Sequence, residues 1–329
     1  MQSTLTRWRH AWMAGVAALA FGATAQAAAP APAAPYTVVN ASFACQTATC
    51  DAELWLPKGV SKPPVILMAH GFGALKDWGL QPFAERFVKA GFAVVRFDYR
   101  GFGKSGGLPR RVVNGPAQVK DWLSAIDAVR LRGDVDGSRI GLWGSSFSGG
   151  LVLVAASQSR GVVKAVSSQV PFVNGFQSAL TYPLKYQPRA AWDGLRDLMR
   201  SDKDEPIYIP IVAKDAFAAL VCAECVDGYG KLVTPGQEAE NKVAARILMT
   251  LPWFAPASSA PHIAAPVLVV AAENDGLIPV KGVREMVKAL PQGEYLELKG
   301  ADHFAPYALP AFEQVVSRQT AFFLKNLAR

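Results

Sequence analysis

The sequence predicts an α/β fold in which an open, mostly parallel central sheet is covered by helices on both faces and interrupted by one inserted cap. Three observations carry that prediction. Short apolar runs recur at residues 65–69, 93–97, 140–143, 165–170 and 267–272, and runs that are apolar on both faces suit buried parallel strands. Between them, Phe83/Phe87/Val88, Val119/Trp122/Leu123/Ile126 and Val283/Met286/Val287/Leu290 stand at helical spacing. From 172 to 262 the alternation stops and aromatic residues accumulate: Phe176, Tyr182, Tyr186, Trp192, Tyr208, Phe217, Tyr229, Trp253 and Phe254. That interval reads as the cap, inserted into a core formed by 36–171 and 263–329.

The ends of the chain complete the outline. Arg7 and Arg9 precede a small or apolar run over 11–23 and an Ala25-Gln26-Ala27 cleavage site, the pattern of a secretory signal peptide. The run is too short for a membrane-spanning helix, which needs about 20 apolar residues. Residues 1–27 are therefore expected to be a cleaved signal and 28–35 an Ala/Pro-rich linker, placing the mature chain in a periplasm or outside the cell with no membrane span. Residues 36–42 and 52–56 predict an antiparallel hairpin at the sheet edge, and 312–327 a closing helix.

With 329 residues, 51% hydrophobic and 18% charged, the chain can bury a full core, which excludes a disordered or collagen-like protein. Its 34 Lys+Arg outnumber 26 Asp+Glu, yet no Lys/Arg-rich run marks a nucleic-acid partner. The cysteines Cys45, Cys50, Cys222 and Cys225 are even in number, and export makes disulfides the default. Four cysteines allow 3 connectivities; Cys45 with Cys50 and Cys222 with Cys225 needs the least rearrangement. A four-thiolate zinc site is the alternative, disfavoured by an oxidising compartment. No metal or cofactor is expected.

The chemistry concentrates in a few places. Residues 140–150, IGLWGSSFSGG, set a Gly-Ser-Ser-Phe-Ser turn between a strand and a helix, the context of a nucleophile elbow. Such a turn needs small residues two positions to either side of its nucleophile, and Gly144 and Ser148 provide them for Ser146. Ser148, lying between Ser146 and Gly150, is a rival; Ser146 is favoured because it falls where the strand should end. A serine hydroxyl needs a base. In the chain order nucleophile, acid, histidine, His70 comes too early and His262 precedes the acid, which leaves His303. The acid belongs at the end of the preceding strand, where Asp275 stands, with Glu273 and Asp302 as alternatives. Backbone N–H groups of Phe147 and of Phe72, in His70-Gly71-Phe72-Gly73, are placed to form an oxyanion hole. Residues 101–106 match G-x-G-x-x-G, but Pro109 and Asn114-Gly115-Pro116 delay the helix a dinucleotide site requires.

HGFG at 70–73, DYRGFGKSGG at 98–107, GSSFSGG at 144–150, END at 273–275 and ADHF at 301–304 together resemble the α/β-hydrolase superfamily. Within the cap, YIPIVA at 208–213 and AARI at 244–247 resemble a branch containing fungal polyketide transferases and thiohydrolases, alongside dipeptidyl-peptidase-like esterases. The resemblance implies an α/β-hydrolase fold and acyl-transfer chemistry on a small-molecule acyl substrate. The expectation is a serine hydrolase cleaving carboxylic esters or thioesters through an acyl-enzyme. A peptidase or acyltransferase with the same triad is the alternative, and a non-catalytic ligand-binding protein a further one. The acyl and leaving groups and the oligomeric state stay open.

Overall fold

A computed structural model describes residues 34–235 and 240–327; the expected signal peptide and the linker as far as residue 33 lie outside them. The chain enters through an antiparallel hairpin, β1 (Tyr36–Cys45) and β2 (Ala48–Pro57). There follow β3 (Pro64–Ala69), α1 (Gln81–Lys89), β4 (Ala93–Phe97), α2 (Gly115–Arg130), β5 (Asp136–Ser145), α3 (Phe147–Gln158) and β6 (Val163–Gln169). Next comes a stretch of short elements: α4 (Gly175–Thr181), α5 (Gln187–Leu198), β7 (Tyr208–Ile209), β8 (Val212–Ala213), β9 (Leu220–Val221), α6 (Cys225–Leu232), β10 (Val243–Ala244) and α7 (Ile247–Thr250). The chain then returns to the main sheet with β11 (Val267–Ala272), α8 (Val280–Lys288), β12 (Gly293–Leu298) and α9 (Ala311–Asn326).

The main sheet has the order β1-β2-β4-β3-β5-β6-β11-β12. From β4 to β12 every pairing is parallel, and only the hairpin is antiparallel, pairing within itself and onto β4. This is the α/β-hydrolase architecture predicted above. Alternate residues of each central strand feed opposite faces. Val65, Leu67 and Ala69 join Trp122 of α2, Leu151 of α3 and Met286 of α8, whereas Ile66 and Met68 join Phe83 and Phe87 of α1 and Phe323 of α9. Both faces are thus covered, which is why β3 and β11 read as continuous apolar runs.

Some boundaries differ from expectation for a plain reason. β5 begins at Asp136 rather than Ile140 because its first four residues, Asp-Gly-Ser-Arg, are not buried and carry no apolar signal. β6 runs Val163–Gln169 instead of 165–170, and Val170 turns out of the ladder with φ 36°. The hairpin strands extend to enclose Cys45 and Cys50 rather than merely flanking them. α2 starts where the proline delay placed it, with the Asn114 side chain accepting from the Ala117 N–H.

Both cysteine pairs are local disulfides, Cys45–Cys50 and Cys222–Cys225. Among the described residues, those between β6 and β11 add no strand to the main sheet but form two small two-stranded sheets, β7 with β10 and β8 with β9. Among the described residues no helix is long and apolar enough to cross a membrane.

Candidate active site

Ser146 sits between the last residue of β5 and the first of α3, with φ 58° and ψ −123°. A non-glycine residue rarely adopts that conformation, and it persists only where its surroundings impose it. Here the end of β6 and the residues just after it do so: the Ser146 N–H donates to the Gln169 carbonyl at 2.9 Å, and the Ser146 carbonyl accepts from the Phe172 N–H at 2.9 Å. The turn is tight enough that a Cβ on Gly144 would stand 2.3 Å from the Ser148 carbonyl oxygen. Of the three serines in the turn, Ser145 and Ser148 are buried and only Ser146 is partly open.

His303 and Asp275 converge on this hydroxyl. His303 Nε2 lies 3.0 Å from Ser146 Oγ, and His303 Nδ1 lies 2.6 Å from Asp275 Oδ2. A carboxylate can only accept, so the ring proton sits on Nδ1 and Nε2 is left to accept from the serine. Asp275 Oδ1 is itself fixed by the Leu277 and Ile278 N–H groups at 2.9 and 2.8 Å. His303 and Asp275 are 2% and 3% exposed, so the pair is shielded from water.

The rival residues are engaged elsewhere. Ser148 Oγ is 2.7 Å from the Tyr99 hydroxyl, which also accepts from Trp122 Nε1 at 2.9 Å. Glu273 accepts from the Gly300 N–H and from Lys299, and Asp302 caps the Phe304 and Ala305 N–H groups. His262 is exposed at the end of a 3-10 helix, Pro256–His262. His70 is buried beside Gly71, in the loop that carries Phe72.

That loop passes directly over the nucleophile: a Cβ on Gly71 would stand 3.1 Å from Ser146 Cβ. Among the described residues neither the Phe72 nor the Phe147 N–H has an acceptor; Phe147 is the first residue of α3, where helical N–H groups are unpaired. Two amides beside the serine can therefore receive developing negative charge.

Two supports were not anticipated from the sequence. Below the elbow, Ser145 Oγ accepts from the Tyr307 hydroxyl at 2.5 Å and from Gln169 Nε2 at 3.1 Å, joining the His303 loop to the end of β5. Beside the Phe72 loop, buried Lys76 pairs with Asp51 at 2.9 Å and lies 3.7 Å from Asp98. Burial draws the Lys76 ammonium down, but these carboxylates together with Asp77 outweigh it and raise it above its ordinary value. Asp98 Oδ1 also accepts the Lys76 N–H at 2.7 Å. The glycine-rich run 101–106 has its place here: a Cβ on Gly103 would overlap the Asp98 carboxylate at 2.1 Å. The run shapes a corner that anchors the Phe72 loop.

A cavity of about 390 Å³ opens from Ser146, lined by Phe72, Phe147, Phe172, Leu220, Leu248 and Ile278 among others, and among the described residues by no charged side chain. The aromatics of residues 172–262 contribute less than their number suggested. Of the nine named above only Tyr182 lines the cavity, whereas Phe176, Trp192 and Trp253 are 61%, 63% and 87% exposed. The remaining rings are Phe72 and Phe147, from the elements that carry the site, and Phe172, just after β6.

Known proteins share this arrangement of the chain. Residues 48–305 match the X-Pro dipeptidyl-peptidase (S15 family). The quorum-quenching protein AidA of Acinetobacter baumannii is 34% identical over 89% of this chain and 96% of its own length. The thiohydrolase aneE of Aspergillus aculeatus is 38% identical over 33% of this chain and 34% of its own. The crystal structure of the alpha/beta hydrolase GrgF from Penicillium sp. superposes with a TM-score of 0.77, covering 89% of this chain and all of that one at 22% identity.

Proposed function

The chain is a hydrolase of the S15 family on the α/β-hydrolase fold, and on that premise we propose that it is an exported serine hydrolase cleaving carboxylic ester or thioester bonds through an acyl-enzyme. Ser146 is the nucleophile, His303 the base and Asp275 the orienting acid. Ser146 Oγ attacks the acyl carbonyl while His303 Nε2 takes its proton. The carbonyl oxygen, now an oxyanion, lies against the Phe72 and Phe147 N–H groups. His303 then protonates the departing alcohol or thiol, and water admitted to the same base hydrolyses the acyl-enzyme.

The observation that carries this reading is the continuous hydrogen-bonded line Ser146–His303–Asp275 at the foot of an uncharged cavity. The lining also favours ester and thioester substrates over peptides cut near a free amino terminus. An ammonium group taken out of water needs a carboxylate partner, and among the described residues the cavity lining offers none. Uncharged acyl groups with an apolar body fit it. Export is supported by the leader pattern of residues 1–27 and by both cysteine pairs being oxidised.

A panel of matched ester, thioester and amide substrates tests the reading, run beside dipeptide amides with free amino termini. Turnover of esters or thioesters that is absent in Ser146→Ala supports it. Preferential cleavage of the free-amine peptides contradicts it.

A further inference from the structure

α6 lies in the stretch between β6 and β11, yet it meets all three loops that form the site. At its start Glu224 places its carboxylate against Gly276, next to Asp275: a Cβ on Gly276 would meet Glu224 Oε1 at 2.2 Å. One turn later Gly228 lies against the ring of Phe304, next to His303, with a Cβ there 2.2 Å from the nearest ring carbon. Only glycine allows that approach. Tyr229 follows. Its ring packs edge-on against Phe304 at 5.6 Å, and Phe304 packs edge-on against His303 at 5.2 Å. Its hydroxyl donates to the Phe72 carbonyl oxygen at 2.9 Å.

We propose that Tyr229 is a positioning residue for the oxyanion hole. It spans from the base loop to the Phe72 loop and fixes the distance at which the Phe72 amide faces Ser146. This rests on the serine-hydrolase reading above and extends it to a residue that is not among those lining the cavity, and so acts through Phe72 rather than on substrate. The geometry suits the role. Tyr229 is 7% exposed, and its ring is held by Phe304 while its hydroxyl reaches a loop 157 residues away in sequence. Burial holds the phenol well above its ordinary range, so it remains a donor wherever the enzyme works. The Cys222–Cys225 disulfide ties the start of α6 to β9, whose Leu220 and Val221 line the cavity.

Removing an oxyanion donor outright costs about 10²–10³ in kcat, and loosening one costs less. The test is Tyr229→Phe, which keeps the ring on Phe304 and deletes only the hydroxyl. An aryl trifluoromethyl ketone, which serine adds to as an oxyanion, serves as the probe; the matching unfluorinated ketone reports ground-state binding. The expected result is a fall in kcat of about tenfold with KM little changed. Trifluoromethyl ketone affinity should weaken by the same factor, ketone affinity should not change, and melting temperature should move little. Unchanged kcat, or equal weakening of both ketones, overturns the proposal. Phe304→Leu is the second variant, withdrawing the ring that steadies Tyr229 while keeping its hydroxyl. It should weaken the trifluoromethyl ketone selectively, and equal weakening of both ketones there also overturns the proposal. Labelling of the wild-type enzyme at Ser146 by a fluorophosphonate separates the two levels: its absence sinks the underlying reading, whereas a labelled wild type with a fully active Tyr229→Phe sinks only the role of Tyr229.

Discussion

Tyr99 and Ser148 share a buried hydrogen bond of 2.7 Å, which turns the third serine of the elbow away from the cavity and into the core. The position two residues after a nucleophile is crowded and calls for a small side chain. Serine fits there because Tyr99 satisfies its hydroxyl.

Ser148→Ala should therefore cost about 1–2 kcal/mol of stability through the lost buried partner of Tyr99 and leave most of the activity. Ser146→Ala should lower kcat by roughly 10⁴–10⁶, because only that change removes covalent catalysis. Steady-state kinetics with a chromogenic ester, set beside urea unfolding, distinguish the two. An inactive Ser148→Ala with an active Ser146→Ala would reverse the roles.

Asp275→Asn should keep the fold, since an amide oxygen can still accept from the Leu277 and Ile278 N–H groups. It should lower kcat by roughly 10⁴ by presenting the wrong imidazole tautomer to Ser146. Glu273→Gln and Asp302→Asn, whose carboxylates serve the Gly300, Phe304 and Ala305 amides, should stay within about tenfold of the parent. If Asp302→Asn proved inactive and Asp275→Asn active, the acid would be misassigned.

His70 supplies a pH dependence of stability. Burial pushes its imidazole below the ordinary value, more than Asp98 nearby pulls it up, so the folded protein holds it neutral. The unfolded chain takes up a proton near pH 6.5. Between that value and the depressed folded one the unfolded state binds more protons, so the contribution of His70 to stability is full above about pH 6.5 and declines as pH falls. Urea midpoints measured from pH 7.5 to 5 should decrease, and His70→Asn should flatten this slope whatever it does to the absolute midpoint. An unaltered slope in the variant would place the linkage elsewhere.

The Cys222–Cys225 bridge closes a very short loop, for which the chain-entropy contribution is only about 2 kcal/mol. Val221, immediately before it, lines the cavity. Cys222→Ser with Cys225→Ser should shift KM or the preferred acyl chain more than it shifts the melting temperature. A large fall in melting temperature with unchanged kinetics would show that the bridge serves the fold and not the pocket.

How much of this was legible in the sequence depends on the range of the interaction. β4 and β11 were readable residue for residue because every position in both is buried: β11 is an uninterrupted apolar run, and β4 is broken only by Arg96. Ser146, His303 and Asp275 were readable because a strand-to-helix turn, chain order and a shortage of histidines narrowed the choice, and the structure brings them within hydrogen-bond distance. The Lys76 cluster was not. Its carboxylates sit on β2, just after β4 and beside Lys76 itself, and they meet only because β4 lies between β2 and β3 in the sheet. The aromatics of the insertion misled for the opposite reason. Counting rings says nothing about which way a short helix faces, and Trp192 and Trp253 point outward.

The measurement that bears most directly on the central claim is covalent labelling by a fluorophosphonate, followed by peptide mapping of the modified residue. The geometry predicts a single adduct on Ser146, formed rapidly in the parent protein, strongly slowed by His303→Ala and absent in Ser146→Ala. An adduct on Ser148, or no labelling of a folded protein that nevertheless turns over esters, would contradict the account.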